Sequence, residues 1–211
     1  MQEIPSKREI NKAKKEAAFI DAAEKLFKQK GFEGLSIDEI VHEAGLTKRT
    51  LYQYFLSKED LYFAVAVRGA KKLFALSEAA IIKGETALEK IRLANLAHLK
   101  LYTDDLEMFK ILNYKPANQQ NCEASPHFQH MVRFDGMRMA MLMELVKLGK
   151  SDGSITTEAD MKKAIFFAFF SAFSLLYTIS STDKGVWKMI GLGEDEFLSF
   201  SFDQIMNALK P

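Results

Sequence analysis

Apolar residues recur at three- and four-residue spacing along most of this chain, and no sustained apolar/polar alternation is bounded by hairpin turns. That spacing predicts an all-α fold of about nine helices. Phe19, Ala22, Ala23, Leu26 and Phe27 form the stripe of a first helix, Asn11 to Lys30, which Gly31 ends. Ser36 followed three residues later by Glu39 is a capping-box pattern, and it starts a second helix over Ile37 to Glu43. Gly45 sits at the reversal that follows, and Thr47 caps a short third helix ending near Phe55. Ser57 with Asp60 opens a fourth helix that continues to about Leu76.

After a break at Gly84-Glu85, Thr86 with Glu89 repeats the capping pattern ahead of Leu88, Ile91, Leu96 and Leu99. A shorter helix from Asp104 must stop before Pro116, and the polar stretch from Pro116 to Ser125 reads as a loop. Ser125-Pro126, a cap followed by proline at the first helical position, starts a helix reaching Leu148. Gly149 to Gly153 reads as a turn, a Phe-rich helix follows Thr157, and a last helix runs from Asp195 to Leu209.

The pair of short helices joined at Gly45 has the layout of a helix-turn-helix. Ile40, Val41, Ala44, Leu46, Leu51 and Phe55 supply its inside. At about 100° per residue, Arg49 and Gln53 project opposite Leu51 and Phe55, with Thr50 and Tyr52 on the flanks. Arg and Lys bond guanine edges, Gln bonds adenine, and a Thr methyl touches thymine, so this face suits a major groove. From Thr47 to Lys58 there is no acidic residue. Lys48, Arg49 and Lys58 are candidates for phosphate or base edges, Tyr52 and Tyr54 for phosphates. The start of the second helix at Ser36 is a further anion contact. Asp38, Glu39 and Glu43 make the rest of that helix acidic, so it is expected to face away from DNA.

Composition narrows the alternatives. With 29 Lys plus Arg against 28 Asp plus Glu, the net charge of +1 gives no global sign of nucleic-acid binding, so the case must be local. It is local: Lys7, Arg8, Lys12, Lys14 and Lys15 face only Glu3 and Glu9 in the arm 1–15, which fits phosphate tracking and fits a solvated tail. Cys122 is the only cysteine, which excludes an intrachain disulfide and a Cys-rich zinc site and fits a reducing, cytoplasmic setting. No signal-peptide core stands in the first 15 residues, so export is not expected. The apolar run Ala164 to Ile179 would span only about 24 Å as a helix, short of a bilayer's roughly 30 Å, and reads as buried in protein. His127 and His130, three apart and near Cys122, have a spacing that could hold a transition metal, and equally that of solvated surface histidines; no metal is assigned. No nucleophile with an adjacent base, paired-carboxylate motif or phosphate loop is present, so neither an enzyme nor a cofactor is expected.

Gly31 through Ala44-Gly45-Leu46-Thr47, Leu51-Tyr52-x-Tyr54-Phe55 and Lys58-Glu59-x-Leu61 closely resembles the TetR regulator family. The match covers about Phe19 to Leu61; beyond Leu76 only helix count and order agree. The resemblance implies an N-terminal three-helix DNA-binding domain, here 1–62, and a larger helical effector-binding and dimerisation domain, 63–211. It implies a homodimer on double-stranded operator DNA, with a small-molecule cavity among the central helices. Carried over by position, Lys48, Arg49, Thr50 and Gln53 look like base readers, and Ser36, Thr47, Tyr52, Tyr54 and Lys58 like phosphate contacts.

By the same pattern the effector site takes in Phe74, Leu96, Leu99, Phe109 and Leu112, with Met131, Phe134, Arg138 and Met141 from the Met-rich seventh helix. Arg138 could pair with a ligand carboxylate or simply snorkel. Phenylalanines surround the eighth helix, which therefore needs cover on several sides. Phe166, Phe169, Phe170, Phe173 and Tyr177, with Phe197, Phe200 and Ile205 of the last helix, belong either to the chain's own core or to a subunit seam, which the resemblance favours. The expected function is a transcriptional repressor released from a near-palindromic operator by an apolar or amphipathic effector. A ligand-independent DNA-binding protein and a helical small-molecule-binding module are the alternatives.

Overall fold

The computed structural model describes residues 6–117, 123–155 and 160–210. Among the described residues there are ten helices and no strand: α1 (Lys7–Lys30), α2 (Ile37–Glu43), α3 (Lys48–Leu51), α4 (Lys58–Ile81), α5 (Ala87–Asp104), α6 (Leu106–Asn113), α7 (Pro126–Asp152), α8 (Met161–Ser181), α9 (Lys184–Ile190) and α10 (Glu194–Asn207). They form two compact units, Met1–Ala70 with Tyr114–Arg133, and Lys71–Asn113 with Phe134–Pro211. Helices α4 and α7 each give residues to both.

In the first unit α1 starts earlier than the apolar stripe suggests. Ser6 accepts from the Glu9 N–H while the Glu9 carboxylate accepts from the Ser6 N–H, a capping box that makes the basic arm helical from Lys7. Phe19, Phe27, Ile40, Leu51, Phe55, Leu61 and Val65 are buried together. The stretch from Tyr114 also belongs here: the Tyr114 ring lies 5.6 Å from Phe32 and 5.8 Å from Tyr62. Ser125 and Asp60 are both buried, and the Ser125 hydroxyl donates to the Asp60 carboxylate. Asp60 also accepts the Leu56 N–H at 2.8 Å, while Ser125 Oγ caps α7 by accepting from His127 and Phe128. The His127 ring stacks 5.4 Å from Phe55, and Phe128 meets Phe63 edge-on.

The second unit is built around Ala87 and Ile91 of α5, Leu142, Leu145 and Val146 of α7, and Ile165, Ala168 and Phe169 of α8. Helices α5, α6 and α10 pack on α8. The turn after α7 caps the start of α5, since Asp152 accepts the Ala87 N–H at 2.7 Å and Ser154 the Leu88 N–H at 3.2 Å. Gly149, expected to begin that turn, is instead helical. A Cβ there would stand 2.9 Å from Met161 Sδ and 3.0 Å from Ile155 Cδ1, so this glycine serves a close approach, and the turn waits for Gly153 at φ +65°.

Two further expectations change. An additional short helix, α9, precedes the last one, capped by Asp183 and stopped by a left-handed Gly191. Helix α8 has 21 residues, and at 1.5 Å each it rises about 31 Å, so, contrary to the expectation from its apolar run, it is long enough to span a bilayer. A core helix meets the same length and composition test. Ile165, Ala168, Phe169, Ala172, Leu176 and Ile179 form its buried stripe, while Phe167, Phe170 and Tyr177 are exposed. Thr157, the expected start of this helix, lies outside the described residues, and Asp160 is the cap.

Candidate nucleic-acid interface

The candidate interface is built on α3. Thr47 Oγ1 accepts the Thr50 N–H at 3.2 Å and lies 3.0 Å from the Thr50 hydroxyl, fixing the helix start. The helix is shorter than expected: it ends at Leu51 and gives way to tight turns through Tyr54. Leu51 and Phe55 are fully buried, which anchors the segment from within and leaves Arg49, Tyr52 and Gln53 exposed. The Arg49 and Gln53 side chains have no hydrogen bond or ion pair among the described residues, so both are available to a base edge. Thr50 is half-buried.

The other named side chains already have local work. Tyr54 is half-buried, its ring 6.1 Å from Phe19. Ser36 is closed on Glu39: its Oγ accepts the Glu39 N–H and donates to Oε2 at 2.8 Å. Lys30 and this cap hold the Glu39 carboxylate down at about 2. Lys58 donates to the carbonyls of Phe32 and Leu35 at 2.8 and 2.9 Å, with its ammonium 4.1 Å over the Phe32 ring. Of its three N–H donors, one is left for a phosphate.

Helix α2 does not turn all its acids away from this face. Asp38 pairs with Lys48 at 2.8 Å, and its carboxylate raises the lysine's pKa, chiefly through that hydrogen bond. Glu39 and Glu43 do point elsewhere, onto Lys30 and Lys25 of α1. Asp38→Asn is expected to free Lys48, tightening binding to non-operator DNA several-fold and adding about 0.9 to the salt slope. Fluorescence anisotropy across a salt series checks it; an unchanged slope would mean that Lys48 stays off the phosphates.

An open concavity of about 930 Å³ joins α1 to the recognition segment. Lys7, Arg8, Lys12, Lys15 and Asn11 line one part of it and Gln53 and Tyr54 another, with Glu9 the acid among them. This alignment of the arm with the turn after α3 is not legible in the charge count, although Ser6-x-x-Glu9 gives the arm away as helical.

The effector and seam candidates, all but Met131, belong to the second unit. Phe74 and Phe134 meet edge-on at 6.1 Å, and Phe109 is buried beside Phe173. Leu99, Leu112 and Met141 are half-buried, Leu96 is exposed, and Met131 belongs to the first unit. Arg138 bonds Asp135 at 2.6 Å and lies over Phe169. Of the seam candidates, Phe169 is core, Phe166, Phe173, Phe197 and Ile205 are half-buried, and Phe170, Tyr177 and Phe200 are exposed together with Phe167, which the sequence pattern did not single out. Among the described residues no cluster of three metal-ligating side chains occurs, and Cys122 lies outside them.

Residues 19–65 match the family model described as bacterial regulatory proteins, tetR family. Over 91 residues the chain is 30% identical to the HTH-type transcriptional activator FasR of Mycolicibacterium smegmatis, covering 43% of this chain and 42% of that one. Over 104 residues it is 28% identical to the fatty acid metabolism regulator protein of Bacillus subtilis, covering 49% and 53%. The matched regions thus span about half or less of these relatives. Among solved structures, the transcriptional regulator FadR of Bacillus subtilis in complex with stearoyl-CoA shares the fold, with a TM-score of 0.66 and 20% identity over 90% of this chain and 95% of that one.

Proposed function

We propose, from the premise that this chain belongs to the tetR family of bacterial regulatory proteins through residues 19–65, that it is a cytoplasmic, sequence-specific DNA-binding regulator of transcription rather than an enzyme. The observation that carries the proposal is the exposed pair Arg49 and Gln53 on a segment anchored by buried Leu51 and Phe55, beside the cationic concavity of α1. Arg49, Gln53 and Thr50 read bases. Lys48, carried over by position as a base reader, is assigned instead to phosphate because Asp38 draws it aside, with Tyr52, Thr47, Tyr54, Lys58 and the arm. Ser36 joins them only where phosphate displaces Glu39 from its hydroxyl. The test is a salt-controlled mobility shift with DNA upstream of its own gene. Arg49→Ala with Gln53→Ala is expected to weaken operator binding by about 1–3 kcal/mol per lost base contact while sparing non-specific binding. Equal operator binding by wild type and double mutant would sink the proposal.

The regulator works as a homodimer that places two α3 segments in successive major grooves, about 34–36 Å apart. Exposed Phe167, Phe170 and Tyr177 on α8 and Phe200 on α10 support this, because apolar groups clustered on packed helices call for cover. Phe170→Glu is expected to shift the chain from dimer to monomer in light scattering and to cost operator affinity; a dimer that survives it would place the seam elsewhere.

The second unit takes a small apolar or amphipathic effector whose binding releases the operator. Its aromatic contacts, the Phe74–Phe134 and Phe109–Phe173 pairs, and the stearoyl-CoA held by the Bacillus subtilis structure support that reading. A hundredfold loss of occupancy requires the effector to prefer the released state by about 2.7 kcal/mol.

A further inference from the structure

Among the described residues of the second unit four buried side-chain polar atoms have no partner, His98 Nε2, Arg138 Nε, Asn113 Oδ1 and Trp187 Nε1, and the first two meet at one ring. His98 of α5 is buried, and its Nδ1 lies 2.9 Å from the Ala94 carbonyl. A carbonyl only accepts, so Nδ1 carries the proton and Nε2 presents a lone pair. That Nε2 is buried and unpartnered. The Nε of Arg138 on α7 is likewise buried and unpartnered, although the far end of the guanidinium bonds Asp135. Both side chains meet the ring of Phe169, the imidazole at 6.0 Å edge-on and the guanidinium carbon at 5.5 Å. An acceptor nitrogen and a donor nitrogen, both buried, therefore meet one aromatic ring, while the rest of the guanidinium reaches Asp135 and solvent.

We infer that His98 and Arg138 form the polar end of the effector site and that they take the head group of an apolar carboxylic acid. The inference rests on the reading of the second unit as an effector domain. A carboxyl group supplies what the pair lacks: its O–H donates to His98 Nε2 and its second oxygen accepts from Arg138 Nε. An ester or thioester carbonyl has no proton to give and leaves Nε2 unpaired. An alcohol must meet both atoms through a single oxygen, where the carboxyl reaches them with two. An acid that arrives ionised takes up one proton, shared between carboxyl and imidazole. Burial and the Arg138 charge keep the imidazole neutral beforehand, and Asp135 stands behind Arg138 as the other charge. Phe169 is the α8 side chain that faces the ring.

Dodecanoate, methyl dodecanoate and 1-dodecanol are the probes, titrated into the full chain by calorimetry in two buffers of different ionisation enthalpy. The acid is expected to bind at least about tenfold more tightly than the ester, and more tightly than the alcohol, with uptake of one proton. Arg138→Met and His98→Leu are each expected to level the acid against the ester. Should His98→Leu fail to fold, the half-exposed Arg138 and the wild-type probe series still decide. Equal binding of acid and ester, a preference that survives Arg138→Met, or no binding of any probe, meaning that water alone satisfies the two atoms, would overturn the inference. Operator release is scored separately. Acid binding through the pair without release upholds this site and removes the effector reading; release by the ester with no acid preference does the reverse.

Discussion

Phe55→Ala is expected to destabilise the first unit by about 3–5 kcal/mol, the cost of truncating a fully buried aromatic that cannot be refilled by its neighbours. Three layers meet at this ring. Phe19 of α1 lies 6.2 Å away edge-on, His127 of α7 stacks at 5.4 Å, and Leu51 one turn earlier carries the recognition segment. Total stabilities of single domains are about 5–15 kcal/mol, so a loss of this size takes much of the margin. Hydrogen exchange of the α2 and α3 amides is the measurement, because it reports opening of this unit by itself. Protection unchanged within about 1 kcal/mol would show that the ring is not the anchor of the segment.

Asp60→Ala should cost about 2–6 kcal/mol, although it removes only a few atoms. The carboxylate accepts both the Leu56 N–H and the Ser125 hydroxyl in a buried place, and truncation strands two donors at about 1–3 kcal/mol each. Ser125→Ala tests the same link from the other side and should also loosen the start of α7, whose first N–H groups Ser125 caps. If the link is energetic rather than incidental, the double substitution costs clearly less than the sum of the two. Strict additivity in urea denaturation would mean that the pair does not couple.

Most of the helical layout is legible in the sequence because its signals are local. Ser36 with Glu39, Thr86 with Glu89 and the stripe from Phe19 to Phe27 each need only a window of a few residues. The inside and outside of the helix-turn-helix follow from the same short-range geometry. What escapes is set at a distance. Gly149 looks like a turn until Met161 and Ile155 are seen against it. The Asp60–Ser125 bond joins residues 65 apart, and no periodicity announces it. His98 reads as one more position on a helix face until burial strips its Nε2 of partners. The Lys48–Asp38 pair crosses two helices whose separate charge counts suggested opposite orientations.

That last pair bears on how the protein finds its site. A lysine already matched by Asp38 gains less from an arbitrary phosphate than a bare one would, so the affinity given up falls on every stretch of duplex alike. Base contacts from Arg49 and Gln53 are untouched by it. A chromosome offers millions of competing registers, and weakening them all by a few-fold leaves fewer copies stranded on irrelevant sequence and a shorter dwell at each wrong stop. Asp38 would thus act on search and background occupancy, trading grip on DNA in general for discrimination.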